Sequence, residues 1–148
     1  MQSIRVLFGA IAGGLVLFAA ISAAVFYRSP ASPEMANNSM MFFGIAMMIT
    51  VIIITAAFVV YKKMLLSLKG TAKPLQEKLN AYRAMMIVFL ALCEGPGLLG
   101  VSFFILTGNL YLLLVPLVSI IVMLAQFPSK ANIVNQLELT WQEQEELA

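Results

Sequence analysis

The stretch Ala84–Leu106, AMMIVFLALCEGPGLLGVSFFIL, holds 23 residues and one charge, Glu94. As a helix rising 1.5 Å per residue it is about 34 Å long, enough to cross the hydrocarbon core of a bilayer, about 30 Å thick. Three further runs of the same character surround it, Val6–Tyr27, Met40–Tyr61 and Leu110–Phe127, and none contains a charge. Of the 148 residues, 61% are hydrophobic and 11% charged, whereas soluble domains carry about 45–50% apolar and about 25% charged residues. The expected fold is all-α: an integral membrane bundle of four transmembrane helices forming one domain.

The segments between the runs are polar. Arg28 to Asn38 is a Pro-containing connection, and Thr107-Gly108-Asn109 is a tight turn. Lys62 to Arg83 is a longer link that holds six of the nine Lys and Arg residues. It reads as a basic helical hairpin extension. Gly70 would end a continuation of the second helix, and Pro74 suits the first turn of the next. Leu75, Leu79, Tyr82 and Met86 then share one face.

Lys and Arg near span ends set orientation. Arg5, Lys62, Lys63, Lys69, Lys73, Lys78, Arg83 and Lys130 fall on one side, and only Arg28 on the other. Both termini, the link and the tail from Pro128 are therefore expected in the cytoplasm, with the protein in a cell inner (plasma) membrane. Arg5, the apolar stretch and Ser22-Ala23-Ala24 also read as a cleaved signal peptide. The apolar core is longer than the about 7–15 residues of such peptides, so an uncleaved span is expected.

The tail offers Ile133, Val134 and Leu137 for one side of a short helix, then Thr140-Trp141-Gln142-Glu143 as a capping box. Trp141 is the only tryptophan.

Composition also excludes chemistry. Histidine and aspartate are absent and Cys93 is the only cysteine. His-based catalysis, serine-type triads, aspartyl-phosphate chemistry, intramolecular disulfides and Cys-cluster metal sites are thereby ruled out. No catalytic residue, cofactor or metal site is expected, and no nucleic-acid partner. The methionine pairs Met40-Met41, Met47-Met48 and Met85-Met86 read as packing or lipid-facing residues, and Cys93 as an inert buried thiol.

Glu94 is the residue that draws attention. It lies ten residues into its span, hence about 15 Å deep, where a charged side chain costs at least about 2.5 kcal/mol. No Lys or Arg lies within any span to pair with it. Thr50 and Ser119 lie at similar depth in the second and fourth spans. Glu94, Thr50 and Ser119 are thus the candidate ion-binding set, with a satisfied polar knot between helices as the alternative. Gly95-Pro96-Gly97 follows directly. Pro96 removes a backbone hydrogen bond and the glycines weaken the helix, so a kink or short unwound stretch is expected there. Broken helices at mid-membrane often build ion or substrate sites. In the first span, Gly9 and Gly13 at GxxxG spacing, continued by Ala20 and Ala24, form a small-residue stripe of the kind that lets helices approach closely. Packing inside the bundle is its expected use, self-association the alternative.

The run Ala91-Leu92-Cys93-Glu94-Gly95-Pro96-Gly97-Leu98-Leu99-Gly100-Val101 resembles the ion-binding helix of ATP synthase c-type proteolipids. Those proteins place Ala-Leu-x-Glu before small residues or Pro and a Gly six positions beyond the Glu, here Gly100. The resemblance implies an ion-binding role for Glu94. It covers about ten residues. The second span has only Gly44 where the proteolipid inner helix is glycine-rich, and the link lacks the Arg-Gln-Pro signature. The second half of the chain also resembles small four-helix bacterial membrane proteins of no assigned function. The shared features are Glu94, Pro96 and Gly100, then Thr107-Gly108, then Pro128-Ser129-Lys130 and Leu137-Glu138-Leu139. This likeness implies a bacterial source and the four-helix topology. The function expected is that of a structural or accessory subunit of a membrane assembly, as a homo-oligomer or within a larger complex. The alternative is a proton- or cation-binding transporter or channel element built on Glu94.

Overall fold

The computed structural model describes residues 2–28, 37–69, 74–127 and 129–137. Gly70, Lys73, most of the first connection and the Thr140–Glu143 capping box lie outside them. Every element in the described residues is helical: α1 (Gln2–Arg28), α2 (Ser39–Leu68), α3 (Leu75–Thr107), a 3₁₀ turn (Leu110–Leu113), α4 (Leu114–Ala125) and α5 (Lys130–Leu137). Three helices are long and apolar enough to cross a membrane, in Val6–Phe26, Ser39–Leu68 and Leu75–Thr107. The fourth apolar run is a shorter helix, Leu110–Ala125.

The helical hairpin extension is present. At 1.5 Å per residue α2 measures about 45 Å and α3 about 50 Å, well beyond the hydrocarbon thickness. The surplus lies at the end where the two helices are linked. Pro74 directly precedes α3, with φ −56° and ψ 147°, an extended conformation that needs no amide hydrogen from the proline.

Packing pairs fix the directions of the helices. Phe42 meets Phe103 with ring centroids 5.2 Å apart, and Phe58 meets Phe89 at 5.4 Å, so α2 runs antiparallel to α3. Leu15 lies against Gly97, and Phe26 lies 5.2 Å from Phe104, so α1 runs parallel to α3. Gly100 lies against Val115, across the tight turn that returns the chain into α4. Successive helices therefore alternate in direction. α3 stands at the centre and packs against α1, α2 and α4, while α1 and α2 hardly touch each other.

The turn between α3 and α4 explains itself residue by residue. Gly108 takes φ +70° and its amide donates to the Phe104 carbonyl at 2.8 Å, a left-handed cap that glycine adopts without strain. Thr107 is hydrogen-bonded back to Phe103, and its hydroxyl accepts from the Asn109 amide. The Asn109 side chain in turn accepts from the Tyr111 amide at 3.0 Å. The chain then winds as a 3₁₀ turn before α4. Pro116 falls in the first turn of α4, where a missing amide hydrogen leaves no helical bond unmade. Pro116 thus stands at a helix start.

Small residues do mediate close packing, but on other helices than α1. Ala46, Thr50 and Ala57 are buried along one face of α2, and Gly97 and Gly100 are buried on α3. Ala20, Ala24, Gly9 and Gly13 on α1 are all exposed, and a methyl group added at Gly9 or Gly13 would meet nothing within 4 Å. The expectation that this stripe packs inside the bundle is corrected. α1 instead buries Phe8, Leu15 and Ser22, a seven-residue spacing that returns to the same face every two turns.

Candidate functional site

Glu94 sits halfway along α3, half-buried, on the flank of the packed face. On a helical wheel it lies between buried Val101, about 20° to one side, and exposed Leu98, about 40° to the other. Among the described residues no hydrogen bond or ion pair reaches its carboxyl. It therefore stands at the boundary between bundle and surroundings, neither sealed in nor fully outside.

Neither of the two hydroxyls expected beside it bonds to it among the described residues. Thr50 is buried on the α2 face that packs on α3, and its hydroxyl donates to the Ala46 carbonyl at 2.6 Å. Ser119 is wholly buried on α4, and among the described residues its hydroxyl has no hydrogen-bond partner. The antiparallel registers set by Phe42–Phe103 and by Gly100–Val115 put both hydroxyls near the level of Pro96. Pro96 is itself buried, and two residues along a helix turn the side chain by about 200°, so Glu94 leaves α3 on nearly the opposite side. The three residues lie at similar levels along the bundle, but the helix stands between the carboxyl and the hydroxyls. The three residues do not form one cluster.

The helix break takes no unwound form. α3 is continuous from Leu75 to Thr107 with Pro96 inside it. Proline removes one amide hydrogen, and the remaining ladder on either side holds the turn. The two glycines that follow Glu94 and Pro96 differ in use. Gly95 is exposed with open space around it, while Gly97 admits the Leu15 side chain of α1.

Two further features were not visible in the sequence. A shallow apolar groove of about 400 Å³ lies between α1 and α4, lined by Val16, Ala20, Ala23, Leu113, Pro116 and Ile120 among others. Its α1 wall includes Ala20 of the small-residue stripe. At the far end of the bundle, Gln136 of α5 accepts from the hydroxyls of Tyr61 at 2.7 Å and Tyr82 at 3.1 Å. Ile133 and Leu137 are buried in the same core as Leu68, Leu75 and Tyr82. α5 is opened by Ser129, whose hydroxyl accepts from the Asn132 amide at 3.1 Å, an N-cap three residues ahead of its donor. The expected tail-helix face of Ile133, Val134 and Leu137 is the one that docks. The glutamine was missed because nothing in the local pattern marks a lone Gln as a partner for two distant tyrosines.

Cys93 is fully buried. Met85 and Met86 are buried in the core, whereas Met40, Met41 and Met48 are exposed. Among the described residues no group of three His, Cys, Asp or Glu side chains is placed to hold a metal ion.

Geometry and composition together define an all-helical bundle with three helices long and apolar enough to cross a membrane. Comparison with protein families, with characterised proteins and with solved structures finds no match to the chain.

Proposed function

We propose that the chain is a four-span protein of the bacterial inner membrane with both ends in the cytoplasm, and that it serves as a structural or accessory subunit of a membrane assembly. One observation carries the assembly reading. The face of α1 with the smallest residues, Gly9 and Gly13, is left open by the bundle that folds around α3. Small residues on a helix exposed to lipid let a second helix approach closely, and contact area is the main driving force between helices in a bilayer. Four spans are supported by the length of the last apolar stretch. Four residues of 3₁₀ turn at about 2.0 Å and twelve of α4 at 1.5 Å give about 26 Å, and the flanking residues supply the rest of a bilayer core. The excess of Lys and Arg on one side supports the orientation.

The test is co-purification in mild detergent. Gly13→Leu should leave the fold intact and shift the protein from a larger complex to a smaller one on size-exclusion chromatography. An unchanged complex would remove α1 as the contact. Topology is checked separately, in a Cys93→Ala background, with single cysteines at Ala31 and Thr71. A membrane-impermeant maleimide applied to intact cells should label the first and not the second.

A second reading rests on its own observation: a half-buried carboxyl midway along α3 without a hydrogen-bond partner among the described residues. It supports binding of a proton or cation at Glu94, with any further ligands supplied by a neighbouring subunit. Carbodiimide labelling in native membranes tests it. Labelling of Glu94 that Na⁺ or rising pH suppresses supports an exchangeable ion site, as does loss of activity in Glu94→Gln with the fold retained. Absence of labelling beside a reactive control proteolipid sinks it.

A further inference from the structure

The structure assigns a binding site for anionic phospholipid to the linked end of α2 and α3, and Lys62, Lys63 and Arg83 are its cationic groups. The inference rests on the membrane-spanning reading and not on the assembly role.

Depth comes first. Tyr61 and Tyr82 reach the same Gln136 oxygen, so residues 61 and 82 lie level on adjacent helices. Their immediate neighbours, Lys62 and Lys63 on α2 and Arg83 on α3, therefore form one band at a single height. That band falls where the uncharged stretches Met40–Tyr61 and Ala84–Cys93 begin, which is headgroup depth for a bilayer-spanning pair. Tyrosine is itself enriched at this level, where its ring is in the apolar region and its hydroxyl is hydrogen-bonded.

Availability comes second. Lys62, Lys63 and Arg83 are exposed, and none makes an ion pair among the described residues. The only other charged side chain of α3 near this level is Lys78, about one and a half turns farther from the membrane, followed by Glu77. Glu94 lies eleven residues on from Arg83, about 16 Å deeper. The docked α5 covers the tyrosines and leaves the three cations uncovered.

Chemistry comes third. Arg offers a planar fork that matches a phosphodiester, and Lys a compact point charge on a long stem. The apolar faces of α2 and α3 next to them, Phe58, Val59 and Ile87, are exposed and suited to acyl chains. Each cation near an anionic surface contributes about 1 kcal/mol. Three together correspond to roughly a hundredfold preference for an anionic over a zwitterionic lipid.

Native mass spectrometry of the full chain, purified in micelles doped with equal phosphatidylglycerol and phosphatidylcholine, tests this. The wild type is expected to retain phosphatidylglycerol selectively. Lys62→Gln/Lys63→Gln/Arg83→Gln should bring phosphatidylglycerol retention down to the phosphatidylcholine level, with the far-UV circular dichroism unchanged. Lys69→Gln/Lys78→Gln, farther from the membrane, should retain the wild-type selectivity. Equal retention of both lipids by the wild type, or undiminished selectivity in the triple variant, would overturn the assignment.

Discussion

Three glycines within six residues of α3 allow a graded test of how this bundle is held together. Alanine at Gly95, Gly97 and Gly100 adds the same methyl group to the same helix, so differences between the variants report on what each methyl meets. At Gly95 it meets nothing within 4 Å. The gain is that of replacing glycine in a helix, up to about 1 kcal/mol. At Gly97 the nearest atom is Leu15 Cδ2, 2.7 Å away. That atom is the free end of a flexible side chain and can rotate aside, so the cost should offset most of the gain. At Gly100 the methyl would lie 2.6 Å from Val115 Cβ and 3.1 Å from the Leu112 carbonyl oxygen. Neither can rotate away, because one is attached directly to the backbone and the other belongs to it. Ordinary carbon contacts need about 3.5–4.0 Å, so α4 must retreat by about 1 Å from a close-packed seam. Overpacking of this kind costs about 1–3 kcal/mol. The order of stability should be Gly95→Ala, then Gly97→Ala, then Gly100→Ala, with about 2–3 kcal/mol between the extremes. Titration with sodium dodecyl sulfate in mixed micelles, followed by far-UV circular dichroism, measures it. The double variant Gly100→Ala/Val115→Gly should cost less than the sum of its parts, since each change relieves the other. If Gly100→Ala matched Gly95→Ala, the crossing of α3 and α4 at Gly100 would be wrong.

Ser119→Ala removes a buried hydroxyl that has no partner, so stability should hold or rise by about 1 kcal/mol; a fall of that size in the same titration would mean that the hydroxyl is hydrogen-bonded. Gln136→Leu leaves the hydroxyls of Tyr61 and Tyr82 without their shared acceptor, and about 1–3 kcal/mol should be lost from the docking of α5. Hydrogen exchange should then speed up across residues 130–137 and not at Phe103 or Phe104.

The all-helical fold and its long apolar helices were legible because they follow from runs of residues without charge. The turn was legible because Gly108 needs a left-handed backbone. Which side of each helix faces inward was not. In a soluble bundle the contrast between polar and apolar faces marks the inside, but α1 and α2 are apolar around their whole circumference, and Val51 and Ile52 are as exposed as Thr50 is buried. Glycine spacing alone therefore pointed to Gly9 and Gly13, while the close approaches are at Gly97 and Gly100. The same loss of contrast hid the direction of Glu94. Its place along α3 is a matter of counting residues, but its side of α3 depends on where α1, α2 and α4 choose to pack. Gln136 joins residues more than fifty positions away, and only the folded chain brings them together.

The central place of α3 also bears on how the molecule is made. Synthesis delivers α1 and α2 first, and these two have almost no surface in common. Until α3 arrives they are separate helices, each with an unshielded flank and no stabilising neighbour. A nascent chain halted before Thr107 should accordingly remain open to protease and to membrane chaperones. Protection should then set in over a narrow range of chain lengths, as the third helix gathers the two that came before it.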